Sequence, residues 1–171
     1  HARDIAVIGN LYACNVDRNP VLKPDAAAVI ANNLICNPRR WAIHTYWNTR
    51  EYQGRMETML PATLVVVGNV SWAGPDTPKN LAMIFIAAGK GEVYEEDNLA
   101  TGLDGQPRTV VGAPQPKLLE RRPFWPEGFT ALPADAVAES VLRHAGARPW
   151  ERDAIDARIV AGVRERTARI I

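Results

Sequence analysis

Residues 5–23, IAVIGNLYACNVDRNPVLK, open as a strand and close as a basic turn. Ile5, Val7 and Leu11 alternate with smaller or polar neighbours, the period-two pattern of extended chain. Gly9-Asn10 interrupts the run. After Asn15 the chain turns polar through Asp17-Arg18-Asn19-Pro20 and continues into Val21, Leu22 and Lys23. In a straight strand an odd separation puts Arg18 and Lys23 on opposite faces. Pro20 sets its own φ and restricts Asn19. A bend is therefore expected between the two cations, and a bend can aim both into one groove.

The following stretch, AAVIANNLICNP, repeats the pattern. Asn10-Leu11 recurs as Asn33-Leu34, and more loosely as Asn69-Val70 and Asn98-Leu99, at intervals of 23, 36 and 29 residues. Recurrence at this length is the signature of a solenoid in which each repeat is one turn. The longer turns then carry loops. Stacked at a bend, the Asn amides can bond one another and the exposed backbone, so their expected role is structural. Parallel strands are expected over 5–12, 28–35 and 63–70, with 82–87 or 92–99 supplying the next.

At this point the chain resembles the pectate lyase family of polysaccharide lyases. The resemblance rests on Arg18, Pro20, Lys23 and the Asn32-Asn33 pair of the next strand. It rests also on the tail PFWPEGFTALPADAVAESVLRHAGARPWERDAIDARIV (residues 123–160), which is similar to the tails of bacterial members. It implies an all-β, right-handed parallel β-helix of about four coils, followed by an extended segment and two short helices. The division implied is 1–104 for the coils and 105–171 for a tail packing on them. It implies a C-terminal portion of a longer lyase, with the calcium-site coils upstream and no metal ligands in this segment. Whether these residues alone are active is left open.

The activity implied is β-elimination of de-esterified pectin. A base removes the proton α to the C6 carboxylate and the C4 glycosidic oxygen leaves. Arg18 is implied as the base and Lys23 as a uronate-binding residue, with Ca²⁺ neutralising the carboxylate. An Arg base conflicts with ordinary side-chain chemistry; it needs neighbouring cations and exclusion of water to disfavour its charge. Lys23, where the family often has Arg, keeps the charge and loses the bidentate fork. Two other readings stay open: a lyase for pectin or another uronate without calcium, and a non-catalytic β-helix that binds polysaccharide.

Residues 38–60, PRRWAIHTYWNTREYQGRMETML, read as an insertion rich in Arg and aromatics. Long loops inside compact folds are usually functional or mobile. Arg39 and Arg40 are candidate substrate-binding residues, since guanidinium forks suit carboxylates, and aromatic rings suit the apolar faces of sugars. The alternative is a surface loop whose aromatics pack on the coil beneath. His44 has no partner at ligand spacing and reads as a loop or packing histidine.

Composition sets outer bounds. The chain has 171 residues, 47% of them apolar, and a net charge of +1, which suits one globular domain. So small a net charge gives no global attraction to nucleic acid or anionic membrane. No apolar run approaches the roughly 20 residues of a membrane span. A monomer acting on an acidic polysaccharide, secreted or periplasmic, is the expectation that goes with the resemblance. Glu92, Glu95, Glu96, Asp97 and Asp104 lack the spacing of a calcium loop and read as a solvated face.

Cys14 and Cys36 lie 22 residues apart, one turn on coils about 4.8 Å apart. The Asn-Leu steps offset them by one residue, so two free thiols compete with a disulfide. Residues 105–128 are proline-rich and aperiodic and are expected to lie extended over apolar surface. A helix is expected from Pro133 to Gly146, with Val137, Val141 and Leu142 inward. A second is expected over about 151–166, with Ile155, Ile159, Val160 and Val163 on one face. Their polar outer faces would cap the solenoid end.

Overall fold

A computed structural model describes every residue except His1, Thr49, Met56, Ala88 and Gly89. The chain winds through successive coils of up to three strands. The first coil holds β1 (Ile5–Ile8), β2 (Leu11–Ala13) and β3 (Val21–Leu22). The second holds β4 (Ala27–Ala31), β5 (Leu34–Cys36) and β6 (Ile43–Thr45). The third holds β7 (Ala62–Val67), β8 (Val70–Trp72) and β9 (Ile84–Ile86). The fourth holds β10 (Gly91–Glu96) and β11 (Leu99–Thr101), and β12 (Lys117–Leu118) follows.

Corresponding strands stack into three sheets, ordered β1-β4-β7-β10-β12, β2-β5-β8-β11 and β3-β6-β9. Every strand pair is parallel, and Leu11, Leu34, Val70 and Leu99 stand in one register. The architecture is a parallel β-helix. Both 84–86 and 91–96 are strands, in different sheets of consecutive coils.

The Asn recurrence is a ladder. Asn10 Nδ2 donates to Asn33 Oδ1 at 3.0 Å, Asn33 Nδ2 to Asn69 Oδ1 at 2.9 Å, and Asn69 Nδ2 to Asn98 Oδ1 at 3.1 Å. Each of the first three also donates its backbone N–H to the same oxygen. The residue before each ladder Asn has a positive φ: Gly9 +70°, Asn32 +52°, Gly68 +62° and Asp97 +49°. Gly and Asn or Asp tolerate the left-handed region best, which explains the Asn32-Asn33 doublet. Asn32 turns the corner and Asn33 forms the rung.

Side chains alternate across each sheet. Ala28, Ile30, Ile35, Ile43, Leu64, Val66, Ile84 and Val93 point into the coil and form the core. The outward residues of the first sheet, Val29, Ala31, Val65 and Val67, are covered by Phe124, Trp125 and Phe129. Residues 105–118 do more than cover. Met83 and Ile84 donate backbone bonds to Thr109 and Val110, and Leu119 donates to Val93, so this stretch stacks as a ragged further coil.

Helices α1 (Ala134–His144) and α2 (Ala154–Arg164) do not cap the solenoid end. They pack on the outer face of the second sheet, where Leu34, Cys36 and Val70 meet Val137, Val141, Leu142 and Val163. An apolar outward row needs cover as much as an open end does. Asp97 Oδ2 accepts from the Ala134 N–H at 2.9 Å, capping α1 from the coil. In α2 the expected face is only partly used: Val163 is buried, while Ile155 and Ile159 stay exposed.

Candidate functional site

A cleft of about 410 Å³ opens on the outer side of the third sheet. It is lined by Asp17, Arg18, Val21 and Lys23 of the first coil and by Arg40, Trp41, His44, Tyr46 and Glu51 of the second. Its floor follows from strand alternation. Leu22 and Ile43 point into the core, so Val21 and His44, paired in register, point outward.

The rim depends on Asn19. This residue is buried; its Nδ2 donates to the Trp41 carbonyl at 2.8 Å and its Oδ1 accepts from Asn15 Nδ2 at 2.9 Å. Its N–H donates to the Ala42 carbonyl. The turn is thereby tied to the next coil, and Arg18, at φ +64°, is thrown outward with its side chain 74% exposed. The bend at Asn19-Pro20 brings Arg18 and Lys23 to one cleft, as their sequence context suggests.

Charge is arranged in two exposed clusters. Asp17 lies 3.7 Å from both Arg18 and Arg40. Lys23 Nζ donates to Glu51 Oε2 at 2.7 Å and stands 5.0 Å from the Tyr46 ring centre. The Arg40 guanidinium lies 5.4 Å from the centre of Trp41. Trp41 in turn is 4.8 Å from His44 and 6.1 Å from Tyr46. Three cations and two aromatic faces therefore share one wall.

Arg39 and Arg40 part company. Arg40 lines the cleft, whereas Arg39 is close enough to Asp76 to help lower its carboxyl. Residues 38–60 are not one insertion, because β6 lies within them as a regular rung of the third sheet. His44 is buried, yet it forms part of the cleft floor rather than a loop. Burial, together with Arg18 and Lys23, pulls its imidazole below the ordinary histidine range, against the Ala42 carbonyl and Asp17. Sequence reading missed His44 as a lining residue, although a polar residue between Ile43 and Thr45 in strand-like context is the pattern of an outward position. It missed Asp17 and Glu51 as partners of the cations; no spacing signals those contacts.

Among the described residues no three His, Cys, Asp or Glu side chains gather to hold a metal. The two cleft carboxylates are both engaged by cations. These residues do not fit a calcium ion.

No family model matches the sequence, and no curated protein matches it. Among solved structures, the thermostable pectate lyase PL 47 is similar, with a TM-score of 0.59 and 15% identity over 83% of this chain. The chain spans 34% of that protein's length. At this identity the likeness shows the fold, a parallel β-helix of the pectate lyase type.

Proposed function

We propose that the cleft binds a polyuronate and that the protein acts as a polysaccharide lyase on de-esterified pectin. The observation that carries this reading is the convergence of Arg18, Lys23 and Arg40 with Trp41 and Tyr46 in one cleft. A uronate residue has two features to recognise: a carboxylate and an apolar sugar face. The cations suit the first and the rings the second. Asp17 and Glu51 hold the cations in the free protein. Exposed ion pairs are worth at most about 1 kcal/mol, so an incoming uronate can replace them at little cost.

In the elimination, the electron pair of the broken C5–H bond forms the C4=C5 double bond as the C4–O4 bond breaks. A cation beside the C6 carboxylate lowers the cost of negative charge developing next to it. On this reading Lys23 and Arg40 hold uronate carboxylates. The resemblance gives the proton to Arg18. Calcium would have ligands outside these residues, and no step is derived through it. A polymeric plant substrate goes with a secreted or periplasmic protein acting as a monomer. A second reading, binding without chemistry, is favoured by the Arg18–Asp17 pair, which leaves Arg18 in the charged role of a carboxylate ligand.

The test is incubation with polygalacturonate and with methyl-esterified pectin, each with and without chelator. Ultraviolet-absorbing unsaturated ends from polygalacturonate are expected. Binding of polygalacturonate without such product would leave the second reading; neither binding nor product would sink both.

A further inference from the structure

The corner that leads into the third sheet continues past the cleft. Ile43 pairs with Ile84, and Ile84 in turn bridges Val111, in parallel throughout. Arg108 therefore stands three residues before its rung, as Arg40 does before Ile43. Two coil spacings of about 4.8 Å separate these positions, roughly 10 Å along the axis. Arg108 lines a second cleft, of about 560 Å³, built on this corner by the loop after β8 and the loop after β11. Thr77, Lys79, Asp104 and Gln106 share its wall.

Arg108 differs from the cations of the first cleft. Arg18, Arg40 and Lys23 each pair with a carboxylate of this chain. Among the described residues, no carboxylate stands within ion-pair distance of Arg108 or Lys79. Arg108 Nη2 donates to the Pro78 carbonyl, which ties the guanidinium to the loop of the coil before it. Arg108 is half-buried. Burial pulls its guanidinium below the ordinary range, and Asp104 opposes this only in part. A charge that loses water without gaining a counter-charge is costly, and an anion entering the cleft supplies one. Thr77 is already engaged with Asn37 and Gly74, and Asp104 with the Gln106 N–H. Lys79 and Arg108 are left to meet a ligand.

We propose, resting on the polyuronate reading of the first cleft, that Arg108 and Lys79 form a distal subsite for a uronate carboxylate and make the protein select long chains over short ones. A uronan carries one carboxylate on every sugar, and one pyranose unit lengthens the chain by a distance close to a coil spacing. A chain lying along this corner passes Arg18 and Lys23 on the first coil, Arg40 on the second, Lys79 on the third and Arg108 beyond it. From the first rung to that of Arg108 is roughly 14 Å, more than a trisaccharide covers while it fills the first cleft. The Arg108 fork suits a carboxylate. No carboxylate of the protein has to be displaced from it first.

The experiment titrates the tryptophan fluorescence of the whole chain with saturated tri- and hexagalacturonate, mixed rapidly so that binding is read before turnover. Wild type is expected to bind the hexamer at least about tenfold more tightly than the trimer. Arg108→Gln should lower that hexamer-to-trimer ratio about three- to tenfold, and Lys79→Gln about two- to threefold. Arg108→Lys keeps the charge and should recover part of the loss. Added salt should bring the ratios of variants and wild type together. A wild-type ratio near one, or a ratio left unchanged by either neutral variant, overturns the distal subsite while trimer binding leaves the polyuronate reading standing. A wild type that binds neither oligomer overturns both. Lys79 is exposed, so Lys79→Gln decides the matter even where Arg108→Gln does not fold.

Discussion

Asn37 Nδ2 donates to Asp76 Oδ2 at 2.9 Å across 39 residues of chain, and the pair fastens the C-terminal tail to the coils. Asn37 is fully buried at φ +54°. Its Nδ2 also reaches the Ala168 carbonyl, and its Oδ1 accepts from the Asp76 N–H. Asp76 Oδ2 accepts from the Ile170 N–H at 3.0 Å. Two turns of the solenoid and the chain end thus meet at one amide and one carboxylate.

This clamp makes stability depend on acid. The Asn37 hydrogen bond first, then the Ile170 N–H, hold the Asp76 carboxyl below its ordinary value, helped by Arg169 and Arg39. A carboxyl depressed in the folded state contributes stability that is present above its unfolded pKa, near 4, and is lost as pH falls through the folded value. Asp76→Asn should therefore flatten the fall of Tm between about pH 5 and pH 2. A melting series with the same acid slope in both proteins would show that Asp76 is not the sensitive group.

The ladder should be strongest in its middle. Asn69 is fully buried and its Nδ2 bonds the Ile30 and Val67 carbonyls as well as Asn98. Asn69→Ala leaves several buried polar groups unpaired, at about 1–3 kcal/mol each. A loss of about 3 kcal/mol or more is expected in urea unfolding. Asn10→Ala, at the exposed first rung, is expected to cost less than about 1 kcal/mol. Equal losses at the two positions would contradict the ladder as the source.

Gly68 separates backbone strain from crowding. At φ +62° any side chain is disfavoured, and a Cβ there would meet Asn32 Nδ2 at 2.5 Å and the Leu132 carbonyl at 2.9 Å. Those atoms are the tether between coil and tail, since Asn32 Nδ2 donates to Leu132 O. Gly9, at φ +70°, has open space around it. Gly9→Ala should cost about 1 kcal/mol, and Gly68→Ala clearly more, with faster proteolysis of the tail. Similar costs would mean that the tether yields freely.

Arg39 and Arg40 give a direct test of the cleft. Arg40→Ala should weaken polygalacturonate binding about two- to fivefold, the scale of an exposed ion pair, and the affinity of the wild type should fall with added salt. Arg39→Ala should leave binding unchanged. The reverse pattern in titration calorimetry would move the binding site to the Asp76 side.

The two thiols should differ in reactivity. Burial, then the neighbouring Cys14, push the Cys36 thiol up to about 12, while Cys14 lies at a half-buried position and lines a surface cavity. The thiolate is the reactive form. A maleimide at pH 8 should modify one thiol quickly, and mass analysis should find it on Cys14. Rapid labelling of Cys36 in the folded protein would contradict the packing of α1 and α2 over it.

The coils were legible because a solenoid is close to one-dimensional. Each turn touches its neighbours in register, so the Asn intervals along the chain become the spacings of the ladder directly. The recurrence of Asn10, Asn33, Asn69 and Asn98, the break at Gly9 and the offset of Cys14 from Cys36 read through, whereas the break at Gly68 inside the strand expected over 63–70 did not. Ala13, not Cys14, stands opposite Cys36, and both cysteines are free. The apolar stripe Val137, Val141 and Leu142 read through for the same kind of reason: helical periodicity is local.

What the chain alone determined is therefore the stacking: which strands lie side by side, which amides form rungs, and where helices begin. Tertiary structure decided everything that depends on direction away from the stack. It separated Arg39 from Arg40, set His44 in the cleft floor, supplied Asp17 and Glu51 to the cations, and laid α1 and α2 on a sheet face instead of an end. The physical reason is that a strand's rung follows from backbone hydrogen bonds with fixed spacing. The aim of a side chain at a corner instead follows from left-handed residues such as Arg18 and Asn37, and from whichever distant segment, such as residues 166–171, happens to pack against that corner.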